Sequence, residues 1–133
     1  MNEGSHEVFE NNTGATTKEI AEVEAAIGST FPNDYREFLI QFNGGEGYIG
    51  ETYLFLWKAE ELIELNYEYE VAQYCSNLLL IGSNGGGEAI GFATASKPWS
   101  IVKVPFVGMD DSLIETCGKS FSEFLKNARA GDI

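Results

Sequence analysis

The stretch Leu-Leu-Leu-Ile-Gly-Ser-Asn-Gly-Gly-Gly-Glu-Ala-Ile-Gly-Phe-Ala-Thr-Ala, residues 78–95, decides the fold of this chain. An apolar run at residues 78–81 is followed by a polar, glycine-rich segment at residues 83–87, and apolar residues return at Ile90 and Phe92. Two such runs joined by a short segment that tolerates positive φ angles are typical of a β-hairpin. The connection is longer than a two-residue turn needs, so it also has room for a backbone concavity. The residues of this turn and candidate pocket are Gly82, Asn84, Gly85, Gly86, Gly87 and Glu88.

A glycine-rich turn after a strand invites comparison with phosphate-binding loops. A Walker-type loop needs Lys and then Ser or Thr after its last glycine, whereas Gly87 is followed by Glu88 and Ala89. A dinucleotide fingerprint needs Gly or Ala at position 90, which is Ile90. The carboxylate of Glu88 would also repel a phosphate. We therefore favour a structural turn, keep small-ligand binding there as the weaker alternative, and expect no cofactor.

Two helices are predicted before the hairpin. Thr16 and Glu19 have the spacing of a capping box, and Gly28 supplies a left-handed stop. The second helix begins near Pro32 and ends at residues 43–45, Asn-Gly-Gly. Apolar residues recur at helical spacing in each: Ile20, Val23 and Ile27 in the first, and Tyr35, Phe38, Leu39 and Phe42 in the second. Residues 1–15 are predicted to be a flexible arm whose middle, Val8 and Phe9, is a candidate for docking on the domain.

The remaining elements complete an α+β domain over residues 16–133. Residues 70–77 are predicted to be irregular, and residues 113–116 to be either a short strand or a helical turn. Strands are predicted at residues 47–50, 52–57, 78–81, 88–95 and 101–104, a middle helix from 58 to about 69, and a C-terminal helix at 120–131. This order indicates a central antiparallel or mixed β-sheet, covered mainly on one face by the N-terminal helix pair, the middle helix and the C-terminal helix.

The composition narrows the classes of partner. The chain has 133 residues, 44% of them hydrophobic, which suits one domain with its own core. Its 21 acidic and 8 basic residues give a formal net charge of −13. Such a charge disfavours nucleic acid and anionic membranes and favours a basic protein partner. The plainer alternative is that the acidity only keeps the protein soluble.

No leader is expected, because the first residues lack a basic region followed by an apolar run. No stretch approaches the roughly 20 apolar residues of a membrane helix. We therefore expect a cytoplasmic protein in which Cys75 and Cys117 stay reduced.

Catalysis and metal binding are not expected. His6 is the one histidine and lies outside the predicted core, so a serine or cysteine nucleophile would lack its base. Cys75 and Cys117 do not have metal-ligand spacing. Neighbouring carboxylates such as Asp110 and Asp111 resemble solvated surface rather than an acid–base pair. We predict neither an enzyme nor a metal site.

Residues 46–70 concentrate negative charge and aromatic side chains. Seven glutamates and one lysine give this window a net charge of −6. Tyrosine and tryptophan within an acidic field suit a surface that binds a basic protein. The alternative is a solvated helix face beside core aromatics. The candidate partner-binding residues are Glu46, Tyr48, Glu51, Trp57, Glu60, Glu61, Glu64, Tyr67, Glu68 and Glu70. Charge reversal at Glu60, Glu61 and Glu64 is expected to slow association without unfolding the domain.

Four motifs in order resemble the SMI1/KNR4 family of the SUKH superfamily. The family's usual Leu-Pro-x-x-Tyr-x-x-Phe-Leu occurs at residues 31–39 with Phe31 in place of leucine, and Asn-Gly-Gly follows at residues 43–45. The aromatic strand into Trp57, the segment Ile-Gly-Ser-Asn-Gly-Gly-Gly-Glu at residues 81–88 and the closing Ser-Phe-Ser-Glu-Phe-Leu at residues 120–125 are similar to the same pattern. The resemblance covers about residues 17–128.

The resemblance implies an α+β domain with no known catalytic activity. Many bacterial members are thought to be immunity proteins that bind and neutralise polymorphic toxin domains, often nucleases or deaminases. Fungal relatives are regulatory proteins that bind cellular partners, which gives a second functional hypothesis, a scaffold. The chain departs from the family where members often place a bulky residue after the glycines. Ala89 and Gly91 are small here, which either leaves room beneath the sheet or marks a bend.

Overall fold

The predicted hairpin is present as two antiparallel strands, Leu78–Ser83 and Glu88–Ala93. The structure is a computed structural model and describes residues 9–133. The strands are β1 Phe9–Asn11, β2 Gly45–Ile49, β3 Thr52–Leu56, β4 Leu78–Ser83, β5 Glu88–Ala93, β6 Ser100–Pro105 and β7 Glu115–Gly118. The helices are α1 Thr17–Ile27, α2 Asn33–Gln41, α3 Leu62–Glu68, α4 Val71–Tyr74 and α5 Phe121–Ala130, with short 3₁₀ turns at Ala59–Glu61 and Asp111–Leu113.

All seven strands of the described residues form one antiparallel sheet in the order β1-β2-β3-β4-β5-β6-β7. Each strand pairs with the next one along the chain, so the sheet is a meander. The α+β class is confirmed, and of the two sheet types that the sequence allowed, the antiparallel one is present.

The helix ends follow their capping signals. The Thr16 hydroxyl accepts a hydrogen bond from the Glu19 amide at 3.1 Å, and the Glu19 carboxylate accepts one from the Thr16 amide at 2.8 Å. Gly28 ends α1 at φ 75°, a left-handed conformation that glycine adopts without steric cost. Ser120 caps α5 by accepting from the Glu123 amide at 3.1 Å. The predicted capping box at Thr16 therefore marks the start of α1, and the Ser120 cap marks the start of the predicted C-terminal helix, α5.

Three segments that the sequence predicted to be irregular or left open have regular structure. Phe9, which the sequence predicts as a candidate for docking on the domain, lies in β1 and pairs with β2. Residues 1–8 of the predicted arm, with Val8, lie outside the described residues. The stretch predicted to be irregular contains the short helix α4, and the region predicted to be either a strand or a helical turn contains the last residue of a 3₁₀ turn, Leu113, and the first residues of β7. Strand β1 forms by pairing with a strand that is distant in the chain, which local sequence patterns do not report.

The core lies on both faces of the central strands. Residues 78–81 of β4 are all buried, and since successive strand residues point to opposite faces, both faces must be covered. This corrects the expectation that the sheet is covered mainly on one face. On one side the buried Tyr35 ring of α2 contacts Phe92 of β5 and Phe121 of α5, each at a centroid distance of 5.0 Å.

A side chain takes the place of a strand beside β4. Strand β3 pairs with β4 only at Gly82 and Ser83. Further along, Asn66 of α3 donates from its amide to the Leu80 carbonyl at 2.9 Å, and its oxygen accepts from the Leu80 amide at 2.8 Å. Both backbone groups of Leu80 on that edge are therefore satisfied by one asparagine.

The small residue Gly91 marks a close approach and not an empty space. A Cβ added there would lie 2.6 Å from the Leu79 carbonyl oxygen of β4. The β4–β5 register shifts between Leu80 and Gly82 at the same place. Of the two explanations for the small residues after the glycines, the structure supports a local distortion of the hairpin.

Candidate protein-binding surface

The glycine-rich turn is closed by its own side chains. The Asn84 side-chain oxygen accepts from the amides of Gly86 at 2.9 Å and Glu88 at 3.2 Å, and its amide nitrogen donates to the Glu88 carboxylate at 2.9 Å. Gly85 and Gly87 have φ angles of 75° and 93°. The amides of Gly86 and Glu88, which a bound anion would need as donors, already donate to Asn84. The geometry therefore fits the structural role of the turn.

Glu88 leads from the turn into a small charged cluster. The Lys103 ammonium nitrogen lies 3.9 Å from the Glu88 carboxylate and 3.7 Å from that of Glu115. In the register, Lys103 of β6 pairs directly with Glu115 of β7 and with Ile90 of β5, so Glu88 is its diagonal neighbour on β5. Glu88 is thus held at a defined position in the sheet, and it shares one ammonium group with Glu115, so the three side chains keep a net charge of −1.

The acidic, aromatic window divides into two separate surfaces. The first is on the sheet, where Glu46 pairs with Phe55 and Tyr48 pairs with Tyr53 across the β2–β3 hairpin. Tyr48 is 50% exposed and Phe55 is 42% exposed, while the alternating residues Ile49, Leu54 and Leu56 are buried. We call the outward side of this hairpin, made of Glu46, Tyr48, Tyr53 and Phe55, the open sheet face.

The side chains of the open sheet face hold one another in place. The rings of Tyr48 and Tyr53 meet edge to face at 5.6 Å, and the Tyr53 hydroxyl donates to the Glu46 carboxylate. That hydrogen bond is the main reason why the pKa of Tyr53 is raised. Gly85 packs against the Tyr53 ring, so that an added Cβ would lie 2.8 Å from it. The glycine turn therefore borders this face.

A groove runs along one side of the open sheet face. It has a volume of about 350 Å³ and lies between β1, β2, β3 and the chain that leads into α3. Its charged lining residues are Glu10, Glu46, Lys58 and Glu61, and Phe55 lines it as well. Three carboxylates and one ammonium give it a net charge of −2. We call this concavity the acidic groove.

The second surface is on α3 and the residues after it. Tyr67 is 83% exposed, and Ile63 is also exposed. The exposed acids on this element are Glu64, Glu68 and Glu70. We call Ile63, Glu64, Tyr67, Glu68 and Glu70 the helix patch. Unlike the open sheet face, it is a single convex element with a shallow hollow of about 400 Å³ beside Tyr67.

Four predicted partner-binding residues have structural contacts that change their interpretation. Trp57 is only 5% exposed and stacks on Tyr69 at 6.0 Å, so its prediction as a surface residue is wrong. The Glu60 carboxylate accepts from Asn43 at 3.0 Å, which is the main cause that lowers the pKa of Glu60. The Glu61 carboxylate accepts from the Lys58 amide at 3.0 Å. Glu51 lies against the end of α5, where its amide donates to the Arg129 carbonyl at 3.2 Å.

These contacts alter one expected experiment. Glu60 and Glu61 help to hold the start of the α3 segment, so charge reversal at either is expected to destabilise the fold. Glu64 is exposed and is the member of that trio best suited to a surface test. The candidate residues predicted from the sequence also did not include Phe55 and Glu10, which line the acidic groove together with the predicted residues Glu46 and Glu61. The strand alternation of residues 52–56 signalled the exposure of Phe55, but nothing local signalled Glu10.

The two cysteine thiols are buried. Cys75 and Cys117 are free and buried, and burial raises the pKa of each thiol to about 11, which keeps both protonated near neutral pH. Within residues 9–133, no three His, Cys, Asp or Glu side chains are grouped so that they could hold a metal ion. His6 lies outside that range. None of the helices in the same range is long and apolar enough to cross a membrane.

The fold and surface define a class of protein: an acidic α+β domain built on one antiparallel sheet with flanking helices, in which aromatic side chains are exposed among carboxylates. The chain belongs to the SMI1/KNR4 family of the SUKH superfamily, because the family model SUKH_6, described as SMI1-KNR4 cell-wall, matches residues 17–125. The predicted family and its extent are confirmed. The family is generally non-catalytic and includes immunity proteins.

A curated relative comes from Bacillus subtilis (strain 168), the uncharacterized protein YnaB. It is 40% identical over 83 residues, which are 62% of this chain and 54% of YnaB. The matched part therefore spans about half the length of that relative.

Proposed function

We propose that this chain is an immunity protein, a non-catalytic domain that binds and neutralises a basic toxin domain. The proposal includes a cytoplasmic site of action and a nuclease or deaminase as the class of toxin. The observation that carries it is the exposure of Tyr48, Phe55 and Tyr67 within an acidic field. Exposed aromatic residues are typical anchors of protein interfaces, and the surrounding carboxylates favour a basic partner.

The charge distribution supports a partner that associates quickly. The net charge of −13 attracts a basic domain over the screening length, which is about 10 Å at 0.1 M salt. Electrostatic attraction of this kind raises the association rate more than it slows dissociation. A toxin that enters a cell would be intercepted before it reaches its target.

The test begins with the gene beside the one that encodes this chain. We expect it to encode a large secreted protein with a basic C-terminal domain. Expression of that domain alone should arrest growth, and co-expression of this chain should restore growth. The purified pair should bind with an association rate that falls as NaCl rises from about 50 mM to about 500 mM. A neighbouring domain that this chain neither binds nor neutralises would refute the proposal.

A regulatory scaffold is the second candidate function. It is favoured by the description of the matching family as SMI1-KNR4 cell-wall. Affinity purification of the tagged chain from unstressed cells separates the two functions. Recovery of several cellular proteins, together with failure to protect against the neighbouring toxin, would favour the scaffold.

A further inference from the structure

The open sheet face is an exposed aromatic surface that no helix covers within residues 9–133. Strand alternation sends Ile49 and Leu54 into the core and leaves Tyr48 and Phe55 outside. Large aromatic side chains at about half exposure on a sheet face lose favourable burial unless a partner covers them. The face therefore has the character of a docking surface.

The groove beside this face sets the chemistry of its occupant. Phe55 and Glu46 are direct cross-strand neighbours, so their side chains stand next to each other, about 5 Å apart at Cβ. A flat apolar ring and a carboxylate side by side match the guanidinium group of arginine, which stacks on aromatic rings and donates paired hydrogen bonds to carboxylates. A lysine ammonium is more strongly hydrated and cannot make the same paired contact.

The acidic groove is also better prepared for binding than the helix patch. Glu46 is held by Tyr53, and Glu61 is held by the Lys58 amide at 3.0 Å. Fixed side chains lose less conformational freedom on binding, which favours affinity. The helix patch also has a hollow, beside Tyr67 and Glu68, but no hydrogen bond within residues 9–133 fixes the carboxylates of its acids Glu64, Glu68 and Glu70.

We propose that the acidic groove receives an arginine side chain of the basic partner, whose guanidinium group pairs with Glu46 and stacks on Phe55. This inference rests on the proposed function and narrows it, because it assigns the main contact to the sheet and not to α3. Tyr48 then covers the flank of the arginine-bearing segment. The helix patch contributes to long-range attraction without forming the central contact.

A peptide titration tests the arginine site without the toxin. The probes are acetyl-Gly-Arg-Gly-Arg-Gly-amide, the same peptide with lysine, and the same peptide with citrulline, which keeps the shape of arginine but not its charge. With ¹⁵N-labelled protein, we expect saturable shifts at the amides of Gly45, Glu46 and Phe55 with the arginine peptide. The lysine peptide should bind more weakly and the citrulline peptide should give no saturable shift.

Matched variants separate the two surfaces. Glu46→Gln with Phe55→Leu keeps an acceptor for Tyr53 and should weaken the arginine peptide about tenfold, which corresponds to 1.4 kcal/mol. Glu64→Gln with Glu68→Gln removes two charges, one more than the sheet variant, and should leave the affinity within about twofold. Thermal unfolding verifies that each variant is folded.

Several results would overturn the inference. These are shifts centred on α3, equal binding of the lysine and arginine peptides, no saturable shift, or an unchanged affinity in the Glu46→Gln, Phe55→Leu variant. Growth protection tests the proposed immunity function separately from the arginine site. If the sheet variant still protects cells while the Glu64→Gln, Glu68→Gln variant does not, the arginine site is wrong and the immunity function stands. If the wild-type chain does not protect, the immunity function is wrong whatever the peptides show.

Discussion

Replacing Asn43 with alanine should destabilise the domain by about 3 kcal/mol, because this side chain joins three segments of the chain. Asn43 is only 4% exposed and has a φ angle of 49°. Its oxygen accepts from the Ala59 amide at 2.8 Å, and its amide donates to Glu60 at 3.0 Å. Its carbonyl accepts from the Asn12 side chain at 2.9 Å. The end of α2, the segment after β1 and the approach to α3 thus meet at one residue.

The magnitude has two sources. Alanine leaves the N–H of Ala59, a fully buried residue, without its acceptor, at a cost of about 1–3 kcal/mol. Alanine at a left-handed φ adds about 1–2 kcal/mol of strain that asparagine tolerates better. Asn43→Gly is the matched control, since glycine relieves the strain but gains freedom in the unfolded chain. It should recover about 0.5–1 kcal/mol of the loss.

Urea unfolding of the wild type and both variants measures these differences, with the m-value as a check that the unfolded states are comparable. The pH dependence gives a second measurement. The folded-state pKa of Glu60 is lowered, mainly by its hydrogen bond from Asn43, so its contribution is present above the unfolded pKa and is lost as the pH falls through the folded pKa. The penalty of Asn43→Ala should therefore shrink in acid. A loss below about 1 kcal/mol for alanine, or a glycine variant less stable than alanine, would refute the reasoning.

Three further substitutions test other buried contacts by urea unfolding. Tyr35→Phe should stabilise the domain by about 1 kcal/mol, since the buried Tyr35 hydroxyl has no hydrogen-bond partner among the described residues, and a loss of stability would contradict this. Asn66→Ala should lower the free energy of unfolding by about 2 kcal/mol and speed hydrogen exchange at the Leu80 amide. Unchanged exchange would show that Asn66 does not replace a strand there. Gly91→Ala should lower the free energy of unfolding by about 1–3 kcal/mol, because the added Cβ would meet the β4 backbone. The control Gly86→Ala should change it by less than about 0.5 kcal/mol. Equal effects of the two substitutions would contradict the close approach at Gly91.

Local signals in the sequence were sufficient for most of the fold. The capping box at Thr16 and the N-cap Ser120 mark α1 and α5 because a helix end needs partners for its free amides, and those partners are local. The hairpin of β4 and β5 follows from two apolar runs around the glycine turn. Strand β1 could not be predicted in the same way, since three residues gain strand geometry only by pairing with β2, more than thirty residues later.

The candidate surface could be predicted in composition but not in arrangement. The acidic, aromatic window was visible as a count of residues. Strand alternation signalled that Phe55 turns outward, but it did not reveal that Trp57 turns inward onto Tyr69. Nor does it reveal that Glu10 shares a groove with Glu61, because that contact depends on the pairing of β1 with β2 and on the path into α3. Tertiary register, and not local propensity, decides these placements.

The meander order of the sheet has a consequence for how the chain acquires its structure. Strands β4 to β7 are joined by short connections, such as residues 84–87. Each can therefore pair with the preceding strand soon after it is synthesised. Strand β1 must wait for β2 across residues 12–44, a loop about eight times longer, and about three doublings of length add roughly 2 kcal/mol of closure entropy. The acidic groove is lined by residues of both β1 and β2, so it is complete only after these two strands have paired. The groove should therefore be the last part of the domain to form on folding and the first to open under denaturing stress.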